Sequence, residues 1–247
     1  MLNYAANPEI DRGWIPSSAW WRLHSIERQN RLRSKADCLD LVPVKSSTVL
    51  GLDMLVHEQR IDLQMASELV LSDVGATIKT LWMIGKEYEF PEERPTRMVD
   101  CLASLDVSAW FSAISARTFA ADREHAAIAA VWRHCRLVGQ YSQLVAESLD
   151  RTSSEDAYLV GLLHGIHAIA EVLDWGNGAA AAGRPDILFA IEGTVPPFVL
   201  AAIRSANDAS SEWGFILTSA HELAESRTAF SASISRSAGT TAMGARL

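Results

Sequence analysis

Along most of the chain apolar residues recur at intervals of three and four, the spacing that gathers side chains on one face of an α-helix. Strict apolar–polar alternation, the signature of a half-buried strand, is hard to find. The pattern predicts an all-α protein. Residues 47–57 place Val49, Leu52, Leu55 and Val56 on one side. Asp62 stands where its carboxylate can cap a helix carrying Met65, Ala66, Leu69 and Val70. A third helix is expected after Ser72 or Asp73, with Val74, Ile78, Leu81 and Trp82 inward. It ends near Pro91 and Pro95, where a missing amide and a fixed φ stop helical pairing. Thr96 and Asp106 each open a short helix, one with Met98, Leu102 and Leu105 inward and the other with Val107, Trp110, Phe111 and Ile114.

The longest periodic run, residues 122–149, has two adjacent apolar faces. One carries Ile128, Val131, Trp132, Cys135 and Val138, and the next His134, Leu137, Tyr141 and Leu144. Two such faces imply a central helix. Thr152-Ser153-Ser154-Glu155 reads as a capping box in which the Thr152 hydroxyl and the Glu155 side chain satisfy reciprocal backbone donors. The helix it opens is expected to run unbroken over 155–174. It is apolar almost all round, which places it in the core, and Gly176 is its stop. A loop over 178–183, a short helix over 185–192, a helix opened by Pro196-Pro197 and a last helix over 212–227 complete the series. Residues 228–247, rich in Ser, Thr, Ala and Gly with no large apolar period, read as a mobile tail. The organisation is thus an N-terminal extension (1–40), a helical domain (41–226, with halves 41–118 and 119–226) and a tail (227–247). No internal repeat is found.

At 247 residues, 49% of them apolar and 21% charged, the chain has the composition of an ordinary globular protein with a sizeable core. The formal charge of −8 disfavours polyanions, so no DNA partner is expected. Cys38, Cys101 and Cys135 are odd in number and lack C-x-x-C spacing, which suits a reducing cytoplasm better than a disulfide framework or a zinc knuckle. A thiol nucleophile at Cys135 would need an accessible, electropositive setting, and this position reads as buried. No leader is expected at the amino terminus. Charges interrupt every apolar stretch short of the roughly 18 residues a spanning helix needs, so no membrane span is expected either. In the extension, Trp20, Trp21, Leu23 and Ile26 alternate with Arg22, Arg28, Arg31, Arg33 and Lys35. An amphipathic helix there is either a solvated basic face packed by its tryptophans or a partner-docking arm, with Trp20, Trp21, Arg28 and Arg31 as docking candidates; a nucleic-acid or membrane contact is the remaining option.

Six stretches in order carry a resemblance. They are Val42-Pro43-Val44; the run Leu69 to Leu81 containing Ser72-Asp73; Thr96 to Ile114; Trp132-Arg133-His134-Cys135; Ala157 to Val172 containing Leu162-Leu163-His164-Gly165; and Val195 to Ile203. Together they resemble the HDOD family, the degenerate relatives of HD-domain metal-dependent phosphohydrolases, over roughly 41–226. The resemblance implies an HD-like multi-helix bundle and a role in bacterial signal transduction, in a family often found alongside response regulators or cyclic-dinucleotide enzymes. It also implies that His134 and His164 occupy positions that bind metal in catalytic relatives, and that Gly165 stands where those relatives carry an aspartate. The closing helix reads Ala220-His221-Glu222 where they present a final aspartate, and Arg204-Ser205-Ala206 follows Ile203 where many relatives have a His-His pair.

The candidate cleft is therefore vestigial, marked by His134, His164, Gly165, His167 and His221. Metal-assisted phosphoester hydrolysis needs imidazoles and carboxylates converging on an ion, and a missing carboxylate ligand costs more than the roughly 10- to 100-fold typical of an outer partner. No metal, cofactor or catalytic residue is expected. His134 and His164 read first as buried, hydrogen-bonded core histidines; the alternative is a fortuitous zinc or nickel site in which His164 and His167, three apart on one helix, join His134 or His221. Gly161 and Gly165, four apart on a helix, read as a close-packing face, a view compatible with a vacated pocket at Gly165. The expected function is a non-catalytic regulatory module that recognises signalling proteins in trans. The alternatives are an HD-like phosphohydrolase acting on a nucleotide or cyclic dinucleotide and a small-molecule sensor using the cleft. Partner, signal and oligomeric state are not legible in the sequence.

Overall fold

A computed structural model describes residues 42–57, 61–88, 90–120, 125–150, 152–176, 191–208 and 210–243, without the side chains of 172–176 and 228–243. All of them fall in one compact unit, Cys38–Leu247. Trp20, Trp21, Arg28, Arg31 and Cys38, the loop expected over 178–183 and most of the helix expected over 185–192 lie outside the described residues.

The architecture is all-α. In chain order the helices are α1 (Ser46–Val56), α2 (Leu63–Leu71), α3 (Val74–Glu87), α4 (Met98–Ala103), α5 (Val107–Ser115), α6 (Ala126–Leu149), α7 (Ser154–Leu163), α8 (Ile166–Gly176), α9 (Pro197–Arg204) and α10 (Glu212–Met243). One small sheet interrupts them. Val44–Lys45 (β1) pairs in parallel with Thr118–Phe119 (β2), Val44 opposite Thr118 and Lys45 opposite Phe119. Two-residue strands are too short for alternation to reveal them. They tie the start of the domain to the segment entering α6. No helix among the described residues is long and apolar enough to cross a membrane.

The caps explain most helix starts. Asp62 accepts from the Met65 amide at 3.0 Å and Asp106 from the Ala109 amide at 2.8 Å, each satisfying a donor that the first turn leaves unpaired. Asp73 caps α3, accepting from Gly75 N at 2.9 Å and Ala76 N at 3.3 Å, and does more besides. It is fully buried. Its carboxylate also takes the Lys45 amide at 2.7 Å and the Trp132 indole Nε1–H at 3.1 Å, so one side chain joins β1, α3 and α6. Four donors satisfy the charge that burial would otherwise make costly.

Helix α6 is central, as its two apolar faces predict: Trp132, Cys135 and Val138 are wholly buried, although Leu144 is 56% exposed. Against it packs α7, whose Ala157 and Leu159 to Leu163 are all buried. The two backbones meet at glycines. A Cβ on Gly161 would come within 2.8 Å of the Gly139 Cα and 2.5 Å of the Ser142 Oγ, and one on Gly139 within 3.2 Å of the Leu162 amide nitrogen. The close-packing reading of Gly161 is thereby explained by Gly139 and Ser142 on the facing helix.

Three expectations are corrected. The helix expected to run unbroken over 155–174 is interrupted at His164 and Gly165, which separate α7 from α8. Its cause is local: the His164 ring donates from Nδ1 to the Gly161 carbonyl, the acceptor that the Gly165 amide would use in a continuous helix, and glycine gives up helical pairing easily. The box Thr152–Glu155 does not form. Ser153 is the N-cap, accepting from the Asp156 amide at 3.3 Å, because the Thr152 hydroxyl bonds the Glu212 carboxylate and Glu155 takes Arg97 Nε at 2.9 Å. Finally, α10 continues past Arg227 to Met243, where a mobile tail is expected, since no proline interrupts the Ala- and Ser-rich segment.

Candidate functional site

The bundle brings together three of the four cleft histidines. His134 projects from the middle of α6, His164 from the break between α7 and α8, and His221 from α10. Their ring centroids lie 5.4 Å (His134–His164), 5.1 Å (His134–His221) and 4.5 Å (His164–His221) apart, the last pair nearly perpendicular at 85°. One nitrogen from each ring falls within 4.8 Å of the other two, and all three residues are half-buried. No other group of three or more histidine, cysteine or carboxylate ligand atoms converges in this way among the described residues. His167 does not join them. It is exposed in the first turn of α8.

The electrostatics of the cluster follow from burial. His164 is pushed down to about 4, chiefly because burial disfavours the charged ring; the Gly161 carbonyl opposes this, while His221 and His134 add to it. His221 is also lowered, by burial and then by His134, with Glu225 pulling the other way. Both rings are therefore neutral near pH 7. A carbonyl can only accept, so the bond to Gly161 fixes the proton of His164 on Nδ1 and leaves Nε2 with its lone pair free.

The cluster contains imidazoles and no carboxylate. At Gly165 a Cβ would meet one neighbour closely, the Cys135 sulfur at 3.0 Å. Cys135 is buried, and burial pushes its thiol up to about 12, so it is a packing group with no thiolate at neutral pH. Three imidazole nitrogen donors facing one another suit a borderline divalent transition metal better than magnesium or calcium, which prefer oxygen. Sequence reasoning marks His221 as a cleft group. It misses Asp73, whose Ser-Asp context signals only a cap, and Gly139 and Ser142, which carry no local signal at all.

Comparison with known proteins finds a family match over part of the chain. Residues 103–173 match the HDOD domain family, a span from the end of α4 through most of α8 that includes His134 and His164 but not His221. The resemblance read from the sequence is borne out over this segment. Among solved structures, the MmoQ response regulator (fragment 20-298) from Methylococcus capsulatus str. Bath is similar in fold, with a TM-score of 0.54 and 14% identity over 76% of this chain and 85% of that one. No curated protein matches the chain.

Proposed function

We propose that this chain is a non-catalytic HDOD-type module of bacterial signal transduction that works in the cytoplasm by recognising other regulatory proteins in trans, with residues 41–226 as its working unit. The observation that carries this reading is Gly165. Where the resemblance puts a metal-binding acid, the chain has no side chain, and a Cβ there would sit 3.0 Å from the Cys135 sulfur. Without an anionic ligand an ion in this cleft loses much of its hold, and among the described residues no carboxylate oxygen converges with the three imidazole nitrogens. A solved structure of similar fold is, by its own description, a response regulator fragment, which fits the same reading.

The test has two parts. Purified protein supplied with magnesium, manganese, zinc or nickel is assayed against nucleotides and cyclic dinucleotides, and in-cell crosslinking in the native host is followed by identification of captured proteins. No turnover and a reproducible regulatory partner are expected. Hydrolysis that disappears in both His134→Ala and His164→Ala would replace this reading with a phosphohydrolase. Stabilisation by a nucleotide without turnover would replace it with a small-molecule sensor, since a ligand that binds only the native state raises its stability.

A further inference from the structure

We infer that the cavity between α3, the loop over 91–96 and the start of α9 binds a small monocarboxylate with an apolar body, its carboxylate held by Arg94. The cavity shares no residue with the imidazole cluster, and the inference does not depend on the signalling reading.

The cavity measures about 390 Å³, a size within the range of small-molecule sites. Leu81 and Ile84 from α3 and Phe198 from α9 give it apolar walls. Pro91, Pro95, Pro196 and Pro197 also line it, and a proline has no amide hydrogen to offer. The Thr194 hydroxyl is already committed, donating to the Ile191 carbonyl at 2.7 Å. Walls so poor in donors favour an occupant that is mostly apolar.

Two features set the charge of its polar end. Arg94 is the one cation in the lining. Its Nε is buried without an acceptor, and the bond its guanidinium makes, from Nη2 to the Gly85 carbonyl, is stretched to 3.5 Å. Buried donors are nearly always paired, so a guanidinium this poorly used is short of an acceptor. The second feature is α9, which opens on the cavity at Pro196-Pro197 with no side chain capping it, leaving the positive end of its dipole unneutralised. Glu92, the one acid in the lining, is exposed, and water screens its charge. A carboxylate matches the planar fork of a guanidinium with two oxygens, and its single charge costs less to bring among apolar walls than a doubly charged group would. The walls come from the first half of the bundle through α3 and from the second through α9, so an occupant ties the two halves together.

The full chain, labelled at its isoleucine methyl groups, is titrated with octanoate and separately with octanamide, the uncharged equivalent, and followed by NMR; Ile84→Val assigns the Ile84 signal. Saturable one-to-one binding of octanoate that moves the Ile84 methyl is expected, with octanamide weaker by about 10-fold or more. Arg94→Gln, checked for retained helix by circular dichroism, should bring octanoate down to the affinity of octanamide. Should that variant not fold, Glu92→Gln provides the second reading: losing the exposed acid should tighten octanoate by roughly 2-fold and leave octanamide unchanged. No saturable binding of octanoate, equal affinities for octanoate and octanamide in the unmodified chain, or shifts that leave Ile84 unmoved would each overturn the site. None of these outcomes bears on turnover or on partner capture, which test the module reading.

Discussion

Trp132 and Asp73 are 59 positions apart in sequence, and the indole Nε1–H of one donates to the carboxylate of the other at 3.1 Å in the fully buried core. The bond matters because Asp73 already caps α3 and holds the Lys45 amide at 2.7 Å, so the early helices, the small sheet and the site-bearing α6 share one acceptor. Replacing Asp73 by alanine removes a helix cap and orphans several buried donors at once. A loss of about 3–5 kcal/mol is expected. Trp132→Phe removes a single donor to a charge along with some volume, for a loss of about 1.5–3 kcal/mol. Urea unfolding at pH 7 checks both; equal losses would show that the bond is incidental to packing.

At Gly161 two effects oppose each other. Alanine would gain up to about 1 kcal/mol of helix propensity, but its Cβ would meet the Gly139 Cα at 2.8 Å, and a backbone atom cannot step aside as a flexible side chain can. Overpacking wins, and Gly161→Ala should destabilise by about 1–3 kcal/mol. At Gly165 the neighbour is the Cys135 sulfur at 3.0 Å, so Gly165→Ala should cost less than Gly161→Ala. Thermal unfolding of the two variants decides the order.

Gly165→Asp supplies the acid that the resemblance lacks, but from a Cα whose Cβ direction leads to Cys135. The expected result is a loss of about 1–3 kcal/mol from overpacking and polar burial with no phosphohydrolase activity gained. Activity gained in Gly165→Asp would mean that the carboxylate reaches the imidazoles after all. A hydrolysis assay with added divalent metal reads the difference.

Much of this fold is legible in the chain, and what is not has physical reasons. The apolar rows of α6 and α7 announce a buried pair of helices, and Asp62, Asp73 and Asp106 announce three helix starts, because periodicity and capping are local. His164 breaking its own helix is not legible, since a ring that competes for a carbonyl three residues back looks, in one dimension, like any core histidine. The same limit applies to the site. Four histidines can be named as cleft groups, but that His221 joins His134 and His164 while His167 is exposed depends on the break at His164 and Gly165 and on how α10 docks. The Gly139–Gly161 crossing is likewise a long-range fact that neither glycine reveals alone.

Cys101 and Cys135 should be inert in the native protein. Both are buried, and burial pushes each thiol up to about 12. Against an ordinary cysteine near 8.5, the thiolate fraction at pH 8 falls roughly a thousandfold. In a Cys38→Ser background, Ellman's reagent should therefore find no fast thiol before unfolding and two after it. A rapid native reaction at Cys135 would contradict its role as packing for Gly165 and reopen the question of a nucleophile beside His134.

The metal-free protein should lose stability in mild acid through its histidines. His164 is held neutral down to about 4, against 6.5 in the unfolded chain, chiefly because burial disfavours its charged form. Between these values the unfolded state binds a proton that the folded state refuses, so stability is intact above about pH 6.5, falls as pH drops through that window and has lost this contribution by about pH 4. His221 is shifted in the same direction, with burial again the first cause, and adds to the slope at its upper end. The loss from His164 alone is on the order of 3 kcal/mol. His164→Gln removes the principal titrating ring and should flatten the profile between pH 6.5 and 4 even if it lowers stability uniformly, whereas His167→Gln should leave the slope unchanged. Chemical unfolding at half-unit pH intervals separates the two, and an unaltered slope in His164→Gln would place the acid sensitivity elsewhere than in the three-imidazole cluster.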